Sequence, residues 1–170
     1  MDLKIAEKED LPLLLEWWNS PEFAGRYNPL DAQQSKVDIE KQYEKLGAEK
    51  SWFLILKKDG TRIGFLGMGV FGIWWEIGFV VVPAERGKGY CTEAAQIAVD
   101  YLFMSKDIVR IQAAAMTENL ASQRVLEKIG FRKEGTMRKG LFAWGKWVDI
   151  NMYGLLREEW KEPKVLTKPR

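Results

Sequence analysis

The chain has 170 residues, 46% hydrophobic and 29% charged, the profile of one folded globular domain and not of a disordered segment. Its 26 basic and 24 acidic residues leave a net charge of +2, too close to balance for a strong nucleic-acid footprint. The single cysteine, Cys91, excludes an intramolecular disulfide and a multi-cysteine zinc site. The absence of histidine excludes Ser-His-Asp and Cys-His catalysis and a His-ligated metal, so no metal is expected.

Taken in chain order, the N-terminus Met1–Glu7 is charged and lacks an apolar signal core, so a cytoplasmic location is expected. A helix is predicted from near Asp10, which can cap it, with Pro12 in its first turn and Leu13, Leu14, Trp17 and Trp18 as its apolar face. Asn19-Ser20-Pro21 ends it, and residues 21–34 read as a loop. Ser35-x-x-Asp38 has the form of a capping box for a second helix that stops at Gly47. Strands follow at 51–56 and 62–70, joined by the turn Lys58-Asp59-Gly60, and at 75–82, ending at Pro83. The stretch Ile63–Ala84 has one charge, Glu76, but five glycines and Pro83 interrupt it, unlike a membrane span. Its glycines 64, 67, 69, 72 and 78 suit two buried strands with a turn at 71–73. A helix at 92–104, a strand at 110–115, a helix at 120–129 and strands at 131–136 and 147–155 complete the order, with residues 161–170 as a loose tail. Hairpins mixed with strand–helix–strand units imply an α+β domain on a mixed sheet.

The segment from Val80 to Ala94 runs from an apolar strand through Pro83-Ala84-Glu85-Arg86-Gly87-Lys88-Gly89 into a helix. The first N–H groups of that helix lack intrahelical partners and lie at the positive end of its dipole, which makes an anion site. Gly87 and Gly89 allow close backbone approach, or serve only as turn formers; Arg86 and Lys88 add charge. Gly89 after Lys88 breaks the P-loop pattern. Thr92 stands at the third glycine of a dinucleotide fingerprint, and four residues separate the strand from the first glycine. The pattern R-x-x-G-x-(G/A) fits Arg86 and Gly89, with small Cys91 in the last place.

That pattern, Glu76-Ile77-Gly78-Phe79, Asn119–Phe131, Gly145–Asp149 and Arg157–Trp160 together resemble the GCN5-related N-acetyltransferase (GNAT) superfamily, and within it the RimJ/RimL-like branch. The resemblance spans residues 1–160 and implies one acetyltransferase domain there. It implies the GNAT fold, a mixed, mostly antiparallel sheet splayed between strands 4 and 5, with acetyl-CoA as cosubstrate. It assigns Phe79, Val80 and Val81 to the pantetheine arm, Arg86, Gly87, Lys88, Gly89, Tyr90, Cys91 and Thr92 to the pyrophosphate, and Asn119 to the pantetheine. Asn119 is otherwise a turn or helix-start residue.

Acetyl transfer to an amine needs a base, an oxyanion donor and an acid for the leaving thiolate. Glu76 is the candidate base, since burial would raise its pKa; the alternative is a sheet-end carboxylate facing solvent or paired with arginine. The N–H of Val80 is a candidate oxyanion donor. The family's usual tyrosine acid, seven residues after the Asn, is replaced by Leu126, leaving Ser122 as the candidate acid with Tyr90 and Tyr153 behind it. Cys91 reads as a small residue at a phosphate site, the alternative being an activated thiol. Trp17, Trp18, Arg26, Tyr27, Asn28, Trp144 and Trp147 border the acceptor region the resemblance implies, where Asp31 or Asp149 could attract an ammonium.

The expected function is direct acetyl transfer from acetyl-CoA to a protein N-terminal α-amine or a small primary amine. The protein is expected to be a monomer or homodimer, without nucleic-acid or membrane partners. The rivals are a non-catalytic CoA-binding module, with Leu126 as its supporting feature, and a nucleic-acid binder using Arg86 and Lys88.

Overall fold

The computed structural model describes residues 1–27 and 33–164. Among them seven strands form one sheet in the order β1-β2-β3-β4-β5-β7-β6. The strands are β1 (Asp2–Ile5), β2 (Lys50–Leu56), β3 (Arg62–Phe71), β4 (Trp74–Val81), β5 (Arg110–Met116), β6 (Arg132–Ala143) and β7 (Lys146–Leu156). The helices are α1 (Leu11–Trp18), α2 (Pro21–Ala24), α3 (Lys36–Glu44), α4 (Tyr90–Ser105) and α5 (Leu120–Lys128). Adjacent strands run antiparallel except β4 and β5, which are parallel. This is the mixed, mostly antiparallel α+β sheet expected from the sequence.

Period-two alternation divides the side chains between two faces. Trp75, Ile77 and Val81 of β4 pack with Ala94, Ala95, Ala98, Val99 and Leu102 of α4 and Leu126 of α5. The alanines on α4 let that helix lie close to the strands. On the other face Leu11, Leu14 and Trp17 of α1, Phe23 of α2 and Ile39 of α3 cover Trp52 and Leu54 of β2. Each large apolar side chain so buried contributes on the order of 1.5–3 kcal/mol.

The expected capping box is present: Ser35 Oγ accepts the Asp38 N–H at 3.2 Å, and Asp38 Oδ2 accepts the Ser35 N–H at 2.9 Å. Three elements depart from the sequence reading. β1 was not expected; it pairs along β2 from Asp2↔Leu56 to Ile5↔Phe53. The segment read wholly as a loop from residue 21 contains α2, started by Pro21 and by Ser20 Oγ, which accepts the Phe23 N–H at 3.3 Å. β6 runs to Ala143, well past the expected end at 136, across a register break between Met137 and Leu141 where Lys139 takes φ 49°. Beyond β7, Trp160 Nε1 and the N–H of Lys164 both donate to the buried Asp100, at 2.9 Å each, so the first residues of the expected tail are held against α4. Among the described residues no helix is long and apolar enough to cross a membrane, and Ile63–Ala84 forms β3, β4 and the turns beside them.

Candidate active site

The sheet forks at Glu76. β4 and β5 pair only through Trp75↔Ile111 and Glu76↔Gln112, and beyond that rung the strands separate. The register between β3 and β4 is unbroken from Gly64↔Val81 to Phe71↔Trp74, and Val82 N–H donates to Ile63 O at 2.8 Å. Antiparallel ladders alternate, so the main-chain groups of Val80 and Gly78 also turn toward β3. Those of Phe79 and Val81 turn toward the open side. The N–H of Val80 is therefore committed to β3, which corrects its assignment as an oxyanion donor. Val80 offers the gap no main-chain group and packs its side chain on the α1–α3 face.

Glu76 is half-buried and lies at the fork itself, where Gln112 Nε2 donates to its Oε2 at 3.2 Å. Burial pushes its carboxyl above the ordinary carboxylate range, and the Gln112 hydrogen bond only partly offsets this. Among the described residues it has no arginine partner, so the sheet-end ion pair is not what the structure shows.

The loop after β4 makes a one-turn 3-10 helix, Pro83–Glu85, and then passes through Gly87 at φ 78° and Gly89 at φ 88°. Both values lie where L side chains are strained, which accounts for glycine at these two places. A Cβ built on either would meet nothing within 4 Å, so the space over the loop is open. The first main-chain bond of α4 runs from Glu93 N–H to Gly89 O at 3.1 Å, leaving the N–H groups of Tyr90, Cys91 and Thr92 ahead of the helical ladder. Open space over outward amides at a helix N-terminus fits a diphosphate.

The basic side chains of the loop are engaged elsewhere. Lys88 Nζ lies 3.0 Å from Glu85 Oε2, and Lys57 Nζ lies 3.1 Å from Oε1. Arg86 Nη2 donates to Phe23 O at 3.0 Å and Glu22 O at 3.3 Å, tying the loop to α2. The groups the loop presents to an anion are thus main-chain amides. Cys91 is partly buried against the core, and burial pushes its thiol up to about 11, against a small opposing effect of Arg86. A thiol held protonated is a poor nucleophile, which favours its reading as a small residue.

Asn119 caps α5: its Oδ1 accepts the Ser122 N–H at 3.1 Å and its Nδ2 donates to Ser122 Oγ at 3.0 Å. The Ser122 hydroxyl accepts that bond and keeps its own proton to donate. Leu126 is 1% exposed and belongs to the core, so nothing polar replaces the usual tyrosine from that position. Tyr153 is wholly buried and its hydroxyl is shared between Gln123 Oε1 at 3.1 Å and Glu127 Oε1 at 3.2 Å, which removes it as a proton donor to substrate. The sequence reading missed the network around it. Gln123 Nε2 donates to Met116 O and Thr117 O, its Oε1 accepts Asn151 Nδ2 at 3.0 Å, and Thr136 Oγ1 donates to Asn151 Oδ1 at 2.7 Å. The available signal was Gln123, a polar residue one turn before Leu126 on the apolar stripe of α5.

A cavity of about 370 Å³ opens beside Glu76, walled by Trp18, Phe23, Trp52 and Phe65. Trp18 meets Trp52 and Phe65 edge-on at 4.8 and 5.5 Å. Its floor comes from glycines: Gly67 and Gly69 on β3 and Gly78 on β4 line it, a Cβ at 67 would crowd the Phe65 ring, and one at 69 would touch the Lys50 stem. In the sequence these glycines argue against a membrane span and for two buried strands, and do not by themselves indicate a cavity floor. A second cavity of about 470 Å³ gathers Arg26, Glu118, Trp144, Trp147 and Asp149. Trp17 is buried and stacked on Phe23 at 4.8 Å, a packing role, and Arg26 lies over the Tyr27 ring at 4.8 Å. Asp149 Oδ1 accepts the Lys139 N–H at 2.8 Å. Asn28 and Asp31 lie outside the described residues.

The family model for the acetyltransferase (GNAT) domain matches residues 3–132. The chain belongs to the GNAT acetyltransferase family. Its class is that of the acetyl-CoA-dependent acyltransferases. The uncharacterized N-acetyltransferase p20 of Bacillus licheniformis is 30% identical over 168 residues, 94% of each chain. The uncharacterized N-acetyltransferase YnaD of Bacillus subtilis (strain 168) is 42% identical over 86 residues, so that match spans about half the length of each protein, 51% of both. Among solved structures, spermidine N-acetyltransferase from Vibrio cholerae, in complex with CoA and spermine, superposes with a TM-score of 0.83 at 21% identity, over 94% of this chain and 96% of the other. That likeness is one of fold.

Proposed function

We propose that the chain transfers acetyl from acetyl-CoA directly to a primary amine held beside Glu76, with residues 1–160 as the transferase domain. The single observation that carries this reading is the fork. β4 leaves β5 at the Glu76↔Gln112 rung, and its free main chain leads at Phe79 and Val81 to the amides of residues 87–92. An extended amide chain such as pantetheine pairs with unpaired strand groups, and a diphosphate sits on helix-terminal amides. The glycines, Tyr90, Cys91 and Thr92 contribute those amides, with Asn119 and Ser122 on the β5 side of the opening.

Bound acetyl-CoA would supply a thioester whose carbonyl carbon accepts the amine nitrogen as the C–S bond breaks. Glu76, raised in pKa and hydrogen-bonded to a neutral partner, takes the proton the amine loses, directly or through water. The N–H of Phe79 or Val81, not of Val80, is aimed to receive negative charge on the carbonyl oxygen. The Ser122 hydroxyl, oriented by Asn119, returns a proton to the departing sulfur. The 370 Å³ cavity has the dimensions of a small-molecule site and supports a small amine over a protein N-terminus as acceptor.

The test is acetyl-CoA-dependent thiol release across a panel of amines, for the native chain and Glu76→Gln. Release that requires an amine and falls with Glu76→Gln supports the reading. The buried Leu126, which removes the usual acid, favours the non-catalytic CoA-binding module instead. Tight acetyl-CoA binding without release for any amine would establish that alternative.

A further inference from the structure

Three strands place a cation, a glycine and a carboxylate in one row across the floor of the cavity. Lys50 pairs with Gly69, and Gly69 pairs with Glu76. Strand spacing puts the Lys50 and Glu76 backbones on the order of 10 Å apart. The Lys50 stem lies over the glycine between them, with its Cγ 3.4 Å from where a Gly69 Cβ would stand. Its ammonium sits 5.7 Å from the Trp52 ring centre and, among the described residues, makes no ion pair. Among the described residues that line the cavity, Glu76 is the one carboxylate and Lys50 the one cation. The remaining wall is largely aromatic.

We propose that the acceptor is an amino acid with a large apolar side chain, bound with its amine toward Glu76, its carboxylate toward Lys50 and its side chain against Trp18 and Phe65. This inference rests on the reading of that cavity as the acceptor site. A zwitterion matches a floor with one charge of each sign. A polyamine would bring a second ammonium against Lys50 or the aromatic wall, where like charge and lost hydration oppose it. An amine lacking a carboxylate leaves Lys50 without its charge-assisted partner.

The test compares kcat/KM at saturating acetyl-CoA for L-phenylalanine, 2-phenylethylamine, which has the same body without the carboxylate, and spermidine. Phenylalanine should lead 2-phenylethylamine by about tenfold or more, as expected for a hydrogen bond to a charged group, and spermidine should be poorest. Lys50→Gln should bring the phenylalanine to 2-phenylethylamine ratio close to one, and Lys50→Arg should keep it. A preference for 2-phenylethylamine or spermidine, or a ratio that survives Lys50→Gln, overturns the inference and leaves the transferase reading standing. Thiol release with no amine in the panel, despite acetyl-CoA binding, overturns both.

Discussion

Two polar regions of this molecule differ in whether their groups are satisfied. Under α5, Gln123, Asn151, Thr136, Tyr153 and Glu127 exchange hydrogen bonds until the buried donors and acceptors are matched. At the fork, Phe79 and Val81 turn main-chain groups toward an open gap, residues 90–92 hold amides ahead of the helical ladder, and Glu76 has one neutral partner. A saturated network can only stabilise. An unsaturated one is available to a ligand. Damage to the first should therefore appear in stability, and damage to the second in binding or turnover.

The largest expected effect is that of Glu76→Gln, which should lower kcat by about 10²- to 10⁴-fold, as for loss of a general base, with acetyl-CoA affinity unchanged by calorimetry. The same change should raise stability at neutral pH. Burial raises the folded pKa of Glu76, so its stabilising contribution is full below the unfolded value and is lost as pH rises through the folded one. Chemical denaturation at pH 7 and at acid pH should show the gain only at the higher pH. Equal kcat in the two proteins would remove Glu76 from the chemistry.

Next in size is Gly89→Val, which forces a β-branched residue to φ 88° and fills the open space above the amides. Acetyl-CoA affinity should drop by about 100-fold or more, beyond the roughly 1 kcal/mol that backbone strain costs in stability. An affinity loss no larger than the stability loss would mean that the glycine serves only the turn.

The saturated region gives the opposite signature. Tyr153→Phe removes the hydroxyl from Gln123 and Glu127 and should cost about 1–2 kcal/mol in denaturant unfolding. The kcat per folded molecule should stay within about twofold, because a group that only stabilises leaves the barrier unchanged. A large kcat loss at unchanged stability would put Tyr153 back among the proton donors. The smallest effect is on pH dependence. Gln112→Leu removes the hydrogen bond that opposes burial at Glu76, so the acid limb of the rate profile should move to higher pH.

The same contrast explains what could be read from the sequence. The loop and Glu76 were legible because they need special chemistry at fixed spacing, glycines at positive φ between strand and helix and a lone carboxylate in an apolar strand, whereas the fork was expected only through the resemblance to the GNAT superfamily. β1 escaped notice because it has four residues with charges at Asp2 and Lys4 and no long apolar run. α2, also four residues, is shorter than any periodicity can report. β6 is exposed from Arg132 through Lys139 and breaks register between Met137 and Leu141, so no alternation of apolar and polar residues carries the strand past 136. The direction of the Val80 N–H depends on strand register, which residue types do not encode. The engagement of Arg86 with α2 depends on a tertiary contact between residues more than 60 positions apart. The glycine floor was visible, since Gly67 and Gly69 alternate on one strand, but its meaning needed Gly78 beside them on the next.

The most direct measurement is a crystal structure of the chain with acetyl-CoA. The expected result has the diphosphate on the N–H groups of residues 87–92 and the pantetheine paired with Phe79 and Val81, its thioester at the Glu76 fork. Nucleotide bound on another surface, or β4 and β5 zipped together past Gln112 with the thioester outside, would contradict it.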